Sequence, residues 1–169
     1  ESRYPWEGNV SYQIVPKTEQ AFTLAIHIPA CVKLGDKGTQ VKINGENVGR
    51  MDVSRSMKKG YLYITRTWNT GDTVEICFDM PVRKIFANQR VRDNAGCVAL
   101  MRGPIVYCFE GVDNGEDIQA LRIQKELNER NTQAYLCEEG VLKGTVLLKI
   151  KGFRMRSKAD LYSEERPGK

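Results

Sequence analysis

The sequence predicts an all-β protein: an antiparallel β-sandwich of jelly-roll type, followed by a smaller and incomplete β subdomain. Three observations favour this class. Apolar residues alternate with polar ones over short stretches, turn-forming residues separate those stretches at close spacing, and no helical period lies between them. This pattern is typical of antiparallel strands that each bury one face against a second sheet.

The first two predicted strands cover residues 8–15 and 21–29, and each alternates between an apolar and a polar face. The inward residues should be Val10, Tyr12 and Ile14 in the first strand, and Phe22, Leu24, Ile26 and Ile28 in the second. His27 is the only histidine and should face outward. Because no other histidine and no group of carboxylates accompanies it, we assign it neither a catalytic nor a metal-binding role.

Two hairpins follow. Residues 40–48 carry Asn44-Gly45 between strand-like flanks, and both residues of this pair tolerate the positive φ that a type I′ turn requires. Residues 60–68 and 72–80 alternate on either side of a second turn that is rich in Asn and Gly. We expect these strands to point the following residues into one core: Leu62, Ile64, Trp68, Val74, Ile76, Phe78 and Met80.

Tyr61 and Tyr63 should lie on the opposite face of their strand. There they form either a cross-strand aromatic ladder, covered by another domain, or an aromatic platform on which a sugar stacks. Trp68 is a further candidate for such a platform. The sequence leaves both interpretations open.

The apolar run at residues 96–109 is interrupted by Gly103-Pro104. Proline removes a backbone donor and fixes φ, so this run predicts two strands, 96–101 and 105–109, rather than one helix. Its β-branched and aromatic composition predicts burial on both faces. A short strand at 81–87 and a polar connection precede the run.

A polar, glycine-containing stretch divides the chain. We expect a sandwich over residues 1–110, a linker over 111–117, a smaller partial β subdomain over 118–156 and a mobile polar tail over 157–169. Residues 118–130 suit either a helical turn or an irregular strand, and their periodicity does not separate the two.

The composition excludes several classes of protein. No apolar stretch approaches the ~20 residues that a membrane-spanning helix requires, and the first residues lack the features of a signal peptide, so we expect a cut from within a longer polypeptide. The net charge is +5, but basic and acidic residues are interleaved. The one basic cluster, residues 149–158, alternates with apolar residues as a half-buried strand does. We therefore expect no membrane and no nucleic-acid partner.

The five cysteines stand far apart and form no Cys-x-x-Cys pair, so the sequence encodes neither a zinc ribbon nor a redox motif. Cys97 and Cys108 lie in apolar strands and should be buried and inert. The sequence does not decide whether any of the cysteines form a disulfide bond. Cys31 and Cys77 loosely flank Trp68, which makes an immunoglobulin-like module a third possible class.

The segment 91–113, which contains Arg102-Gly103-Pro104, resembles the C-terminal β region of glycoside hydrolase family 127, the β-L-arabinofuranosidase group once described as a domain of unknown function. Tyr4-Pro5-Trp6-Glu7-Gly8 is similar to the family's entry from its catalytic barrel into the first sandwich. Further stretches match in the same order, at 23–30, 41–46, 60–68 and 71–75. The family's closing strand has no counterpart, so we expect truncation at both ends.

The resemblance implies that the chemistry belongs to an α/α-barrel that would precede this chain, where the family carries a zinc-bound cysteine nucleophile and glutamates. No residue here matches those groups. We therefore expect no catalytic residue, no metal ligand and no cofactor in this chain, with zinc confined to the barrel. The barrel of the same polypeptide would be the partner, with Trp6, Arg92 and Arg102 at or near the contact. A homodimer is a further option.

The function predicted in this way is that of a non-catalytic, structural accessory domain of a bacterial glycoside hydrolase that acts on arabinofuranosides or related plant sugars. The alternative is an autonomous carbohydrate-binding module that uses Tyr61, Tyr63 or Trp68. Sugar specificity, oligomeric state and compartment, whether bacterial cytoplasm, periplasm or secreted, stay open.

Overall fold

The structure, a computed structural model, describes residues 1–32 and 39–155, and two compact units divide the chain between Val106 and Tyr107. Strands dominate the described residues, and the predicted all-β class is confirmed. The strands that begin in the first unit are β1 Asn9–Gln13, β2 Gln20–His27, β3 Gln40–Ile43, β4 Glu46–Asn47, β5 Met57–Lys58, β6 Tyr61–Trp68, β7 Thr73–Cys77, β8 Val82–Phe86, β9 Val98–Arg102 and β10 Ile105–Tyr107.

Two antiparallel sheets form a sandwich in the first unit. One has the strand order β1-β7-β3-β4 and the other β2-β6-β5. Both contribute buried residues to one core, because the alternation of each strand sends its apolar side chains to the same side. The core comprises Ile14, Ile26, Ile28, Val32, Val41, Val53, Leu62, Trp68, Val74, Ile76, Phe78 and Met80. The inward residues predicted for β1, β2, β6 and β7 all lie in this core or pack against it.

The Asn-Gly turn closes the predicted hairpin between β3 and β4. Asn44 and Gly45 adopt φ values of 52° and 82°, as a type I′ turn requires. The side chain of Asn44 donates to Asp72 and accepts from the backbone N–H of Thr73, so this turn is attached to the neighbouring strand β7.

A short helix, α1 Arg50–Arg55, lies between β4 and β5, although the sequence showed no helical period between the strands. Its only buried residue is Val53, so six residues carry too few apolar positions to produce a detectable period. Val53 joins the sandwich core and fixes the helix against it.

The strands β8, β9 and β10 form a separate three-stranded sheet instead of extending the sandwich. The prediction that residues 96–109 are buried on both faces is wrong: Val106 is 62% exposed, and Ala99 is exposed as well. The apolar composition of this run correctly predicted strands, but composition does not determine whether each face of a strand is covered.

The described residues of the second unit, 107–155, contain two antiparallel pairs of strands. The short helix α2 Gly111–Asn114 occupies the predicted linker. The strands are β11 Leu121–Ile123, β12 Thr132–Leu136, β13 Val146–Ile150 and β14 Gly152–Arg154, with β11 paired to β14 and β12 to β13. The ambiguous segment 118–130 is therefore a 3-10 turn followed by a short strand.

Arg154 connects the two ends of the described part of this unit. Its guanidinium donates to the backbone carbonyls of Asn114 and Asp117. The predicted domain boundaries stay predictions, and the predicted mobile tail, 157–169, lies outside the described residues.

Candidate functional site

Two of the predicted interdomain residues meet in the first unit. Arg102 Nη1 on β9 donates a 2.8 Å hydrogen bond to the backbone carbonyl of Trp6, although 96 positions separate them in the sequence. Both residues are half-buried. The turn that presents the Trp6 carbonyl is closed by bonds from the N–H groups of Trp6 and Glu7 to the carbonyl of Arg3, and by an Arg3–Glu7 ion pair of 3.0 Å.

The third predicted residue of this group, Arg92, does not make that contact. It is exposed at the start of the 3-10 turn Arg92–Asn94, which precedes β9. The structure thus brings Trp6 and Arg102 together and leaves Arg92 on the surface.

Sequence reasoning missed a second arginine at the β9–β10 turn. Arg83 Nη2 donates to the carbonyl of Gly103 at 3.2 Å, while its Nε is buried without a hydrogen-bond partner among the described residues. Gly103 has φ +56°, and a Cβ there would lie 2.7 Å from the sulfur of Met80, a core residue. The strand β8 carries two adjacent cations, Arg83 and Lys84, and no sequence signal singled out Arg83. We call Trp6, Arg83, Arg102 and Gly103 the β9–β10 junction.

The outer face of the second sandwich sheet carries a row of aromatic rings. His27 and Tyr61 are cross-strand partners with ring centroids 5.2 Å apart, and the Tyr61 and Tyr63 rings are 6.3 Å apart. Tyr61 is 41% exposed and Tyr63 38%. Their planes are tilted by 45°, so they form a ladder of rings rather than one flat platform.

The interpretation of Trp68 as a sugar-stacking residue is wrong. Its side chain is 0% exposed, because its position on β6 points into the sandwich core. The indole Nε1 donates to the carbonyl of Phe22, and the Phe22 ring packs 5.9 Å away. Arg66 lies over the indole with its guanidinium carbon 5.2 Å from the ring centroid. Trp68 is therefore a core anchor.

Two ionisable groups are shifted by their surroundings. Burial raises the pKa of Tyr4, and the neighbouring Cys31 thiol raises it further across a 4.0 Å contact. The pKa of Asp72 is lowered, first by the hydrogen bond from the backbone N–H of Asn69 and then by that from the Asn44 side chain. Both groups serve packing or turn geometry and face no reacting atom.

The cysteines differ from expectation. Cys97 and Cys108, predicted to be buried, are exposed because they lie just outside the ends of β9 and β10. All five cysteines are free, so the disulfide of an immunoglobulin-like core is not formed between Cys31 and Cys77. Within residues 1–32 and 39–155, no three His, Cys, Asp or Glu side chains converge as a metal site requires, and the zinc chemistry implied by the resemblance has no ligand set there.

An open groove of about 530 Å³ lies between the N-terminal segment and the outer face of β1, β7 and β3. Its charged lining is of mixed sign: Lys42 is the cross-strand partner of Glu75, and Arg3 pairs with Glu7. Glycoside cleavage by a pair of carboxylates needs two such groups facing each other across a cleft. Here Glu7 and Glu75 each stand beside a cation, an arrangement that is typical of a solvated sheet face.

None of the described helices is long and apolar enough to span a membrane.

Comparison with known proteins assigns both parts of the chain to one family. Residues 1–80 match the model of the GH127 middle domain of β-L-arabinofuranosidase, and residues 82–154 match the C-terminal domain of glycoside hydrolase family 127. A non-reducing end β-L-arabinofuranosidase from Bifidobacterium longum subsp. longum is 37% identical over 129 residues, which are 72% of this chain and 18% of that protein.

Solved structures agree with this assignment. A GH127 β-L-arabinofuranosidase from Geobacillus stearothermophilus T6 matches with a TM-score of 0.83 and 39% identity, over 100% of this chain and 25% of that one. A structure described as a glycoside hydrolase matches with a TM-score of 0.71 and 30% identity, over 99% and 26%. The chain therefore spans about a quarter or less of the length of these relatives.

Proposed function

This chain belongs to glycoside hydrolase family 127, whose middle and C-terminal domain models it matches, and from this membership we propose that it is a non-catalytic accessory region of a β-L-arabinofuranosidase-type enzyme. The observation that carries the proposal is the use of the polar groups. Asp72 is engaged in a turn, Glu7 in an ion pair and Arg102 in binding a backbone carbonyl, while the apolar residues fill a sandwich core. These groups hold the structure together, and among them there is no pair of carboxyl groups facing each other as acid and base.

The role we propose for this region is to pack against the catalytic barrel of the same polypeptide. The β9–β10 junction supports it, because the Arg102–Trp6 hydrogen bond holds the segment that resembles the entry from the barrel against the first hairpin of the C-terminal domain. The Trp6 turn and the β9–β10 hairpin would together form the surface that contacts the barrel, and exposed Arg92 lies on the connection between β8 and β9 of the same sheet.

A complementation experiment tests the contact. The part of the Geobacillus stearothermophilus enzyme outside the matched quarter is expressed separately and mixed with this chain, and binding is measured by calorimetry. We expect 1:1 binding that Arg102→Ala weakens roughly tenfold, since the Trp6 turn is released. Arg130→Ala, which removes an exposed arginine of the second unit, is the matched control and should bind normally. If the unmodified chain does not bind the separately expressed part of the enzyme, the proposed contact with the barrel is excluded.

A second candidate function is binding of the sugar by the Tyr61–Tyr63 ladder. Exposure of both rings favours it, and their 45° tilt favours contact with a bent oligosaccharide over stacking on one flat ring. Titration with arabinan fragments tests it: Tyr63→Ala should abolish any heat of binding, whereas Tyr135→Ala, at a tyrosine of similar exposure on β12, should not. Absence of binding by the unmodified chain removes this candidate.

A further inference from the structure

The chain contains two Asn-Gly pairs, Asn44-Gly45 and Asn114-Gly115. Asparagine before glycine is prone to deamidation, because glycine has no side chain to keep its backbone nitrogen away from the asparagine amide. In this reaction the glycine nitrogen bonds to Cγ of the asparagine and gives up its proton, and the side-chain nitrogen leaves as ammonia. Water then opens the cyclic imide at either carbonyl, so that Asp or isoAsp replaces the asparagine.

At the tip of the β3–β4 hairpin the attacking nitrogen is available. Asn44 and Gly45 are both exposed, and a Cβ added to Gly45 would meet no atom within 4 Å. Within residues 1–32 and 39–155, the N–H of Gly45 makes no hydrogen bond to a backbone carbonyl. At the other pair, by contrast, the N–H of Gly115 donates to the carbonyl of Gly111 at 2.7 Å and closes α2.

The side-chain amide of Asn44 is held away from that nitrogen. Its Nδ2 donates to Asp72 Oδ1, and its Oδ1 accepts from the backbone N–H of Thr73, both at 2.8 Å. The backbone N–H of Asn44 also donates to the Thr73 carbonyl, at 3.0 Å. Both ends of the amide are therefore bonded to residues 72–73, and Cγ reaches the Gly45 nitrogen only after those bonds break.

A carboxylate at position 44 would destabilise the closed turn. Asp72 is fixed opposite it, because Asp72 Oδ2 accepts from the backbone N–H of Asn69 at 2.8 Å. An oxygen in place of the donor Nδ2 changes the hydrogen bond with Asp72 Oδ1 into repulsion between like charges. Arg66 is the cation near this pair, and its Nε donates to the Thr67 carbonyl rather than to Asp72. An isoAsp product would in addition lengthen the backbone of a tight turn.

We propose that Asn44 is a deamidation site gated by its contact with Asp72: it reacts only while the hairpin tip is released from residues 72–73, and the carboxylate formed there keeps the tip from returning. The reaction consumes water and releases ammonia. A brief local opening, of the kind that folded proteins undergo reversibly, thus becomes a permanent detachment of the tip. The inference depends on this turn alone and is independent of the proposed accessory role.

Incubation of the unmodified chain at mildly alkaline pH, followed by peptide mass spectrometry, measures the reaction rate at each Asn-Gly pair. We expect Asn44 to react at least roughly tenfold more slowly in the folded chain than in the same chain unfolded in guanidinium chloride. Asp72→Ala removes the acceptor that holds the amide, and should speed the reaction at Asn44 several-fold while the rate at Asn114 stays unchanged.

Asn44→Asp reproduces the charged product and tests its effect on the hairpin tip. The backbone amides at positions 44 and 73, which carry the contact between the tip and β7, should exchange hydrogen at least roughly tenfold faster than in the unmodified chain. In Asn44→Asp/Asp72→Asn the donor and the acceptor change places, so protection should return. Asn114→Asp makes the same charge change at the other pair and is the matched control, which should leave both amides unaffected.

Equal rates at Asn44 in the folded and the unfolded chain would overturn the gating by Asp72. Unchanged exchange in Asn44→Asp would overturn the effect of the product on the tip. A double variant as poorly protected as Asn44→Asp would also contradict the proposal, because the new carboxylate would then act without Asp72.

Discussion

At the scale of single residues, Trp68 shows how burial decides a role. The same indole suits a sugar platform or a core anchor, and its exposure of 0% assigns it to the core. The alternation of β6 already placed Trp68 inward with Leu62, so the pattern was the better guide than the residue type. For Cys97 and Cys108 the pattern led to a wrong prediction of burial. Both lie just outside β9 and β10, where apolar neighbours do not guarantee burial.

Substitution of Trp68 by Phe should destabilise the fold by about 2–3 kcal/mol, because it leaves a cavity and an unpaired Phe22 carbonyl. Urea unfolding followed by circular dichroism measures the change. Tyr63→Phe, at an exposed ring on the same strand, is the control and should cost less than about 0.5 kcal/mol. Equal effects of the two substitutions would show that Trp68 is not the anchor described here.

The Asp72 turn predicts a dependence of stability on pH. The folded-state pKa of Asp72 lies below its ordinary value of 3.8, so its ionised form stabilises the fold above that value, and the contribution is lost as pH falls through the lowered folded-state pKa. The difference in unfolding free energy between the unmodified chain and Asp72→Asn should therefore be constant above about pH 5 and shrink toward lower pH.

Asn44→Gly supplies the control for this turn, because glycine keeps the positive φ while the donor to Asp72 is removed. In that background the effect of Asp72→Asn should be smaller. A pH-independent difference in both backgrounds would show that the carboxylate does not act through its hydrogen bonds.

At the scale of elements, the sequence was sufficient wherever a strand has one apolar face and a turn of known chemistry. The alternation in β1, β2, β6 and β7 identified the core residues, and Asn44-Gly45 located its hairpin. The sequence did not predict the structure where an element has few buried positions, as in α1. It also failed to predict burial where apolar residues face outward, as on the sheet of β8, β9 and β10. Which strands share a sheet is decided by long-range pairing, and no local pattern specifies it.

The β9–β10 turn allows a matched pair of substitutions. Gly103→Ala combines the strain of a positive φ with a 2.7 Å approach to the Met80 sulfur, whereas Gly45→Ala has a positive φ with open space around it. We expect about 1 kcal/mol of destabilisation from strain at Gly45, and at least about 1 kcal/mol more at Gly103, where the core has to repack. Thermal unfolding measures both. Equal destabilisation by Gly103→Ala and Gly45→Ala would show that the β9–β10 turn is not packed against Met80.

At the scale of the whole molecule, the two family domains and the two compact units do not divide the chain at the same place. The family models change between residues 80 and 82, while the first unit continues to Val106. The hairpin of β9 and β10 thus belongs to the C-terminal domain by sequence and to the sandwich unit by packing, with Arg102 bound to the Trp6 turn. The sequence analysis named Trp6, Arg92 and Arg102 together as residues near a contact with the barrel, but only the structure supplied the contact between Trp6 and Arg102 and the part played by Arg83.

We propose that this chain supports a glycosidase without performing its chemistry. The most direct test is the hydrolysis of a nitrophenyl β-L-arabinofuranoside by the purified 169-residue chain, with the Geobacillus stearothermophilus enzyme as positive control. We predict no turnover above the uncatalysed rate at any enzyme concentration. Turnover that scales with the concentration of this chain, and that persists after repeated purification, would contradict the account.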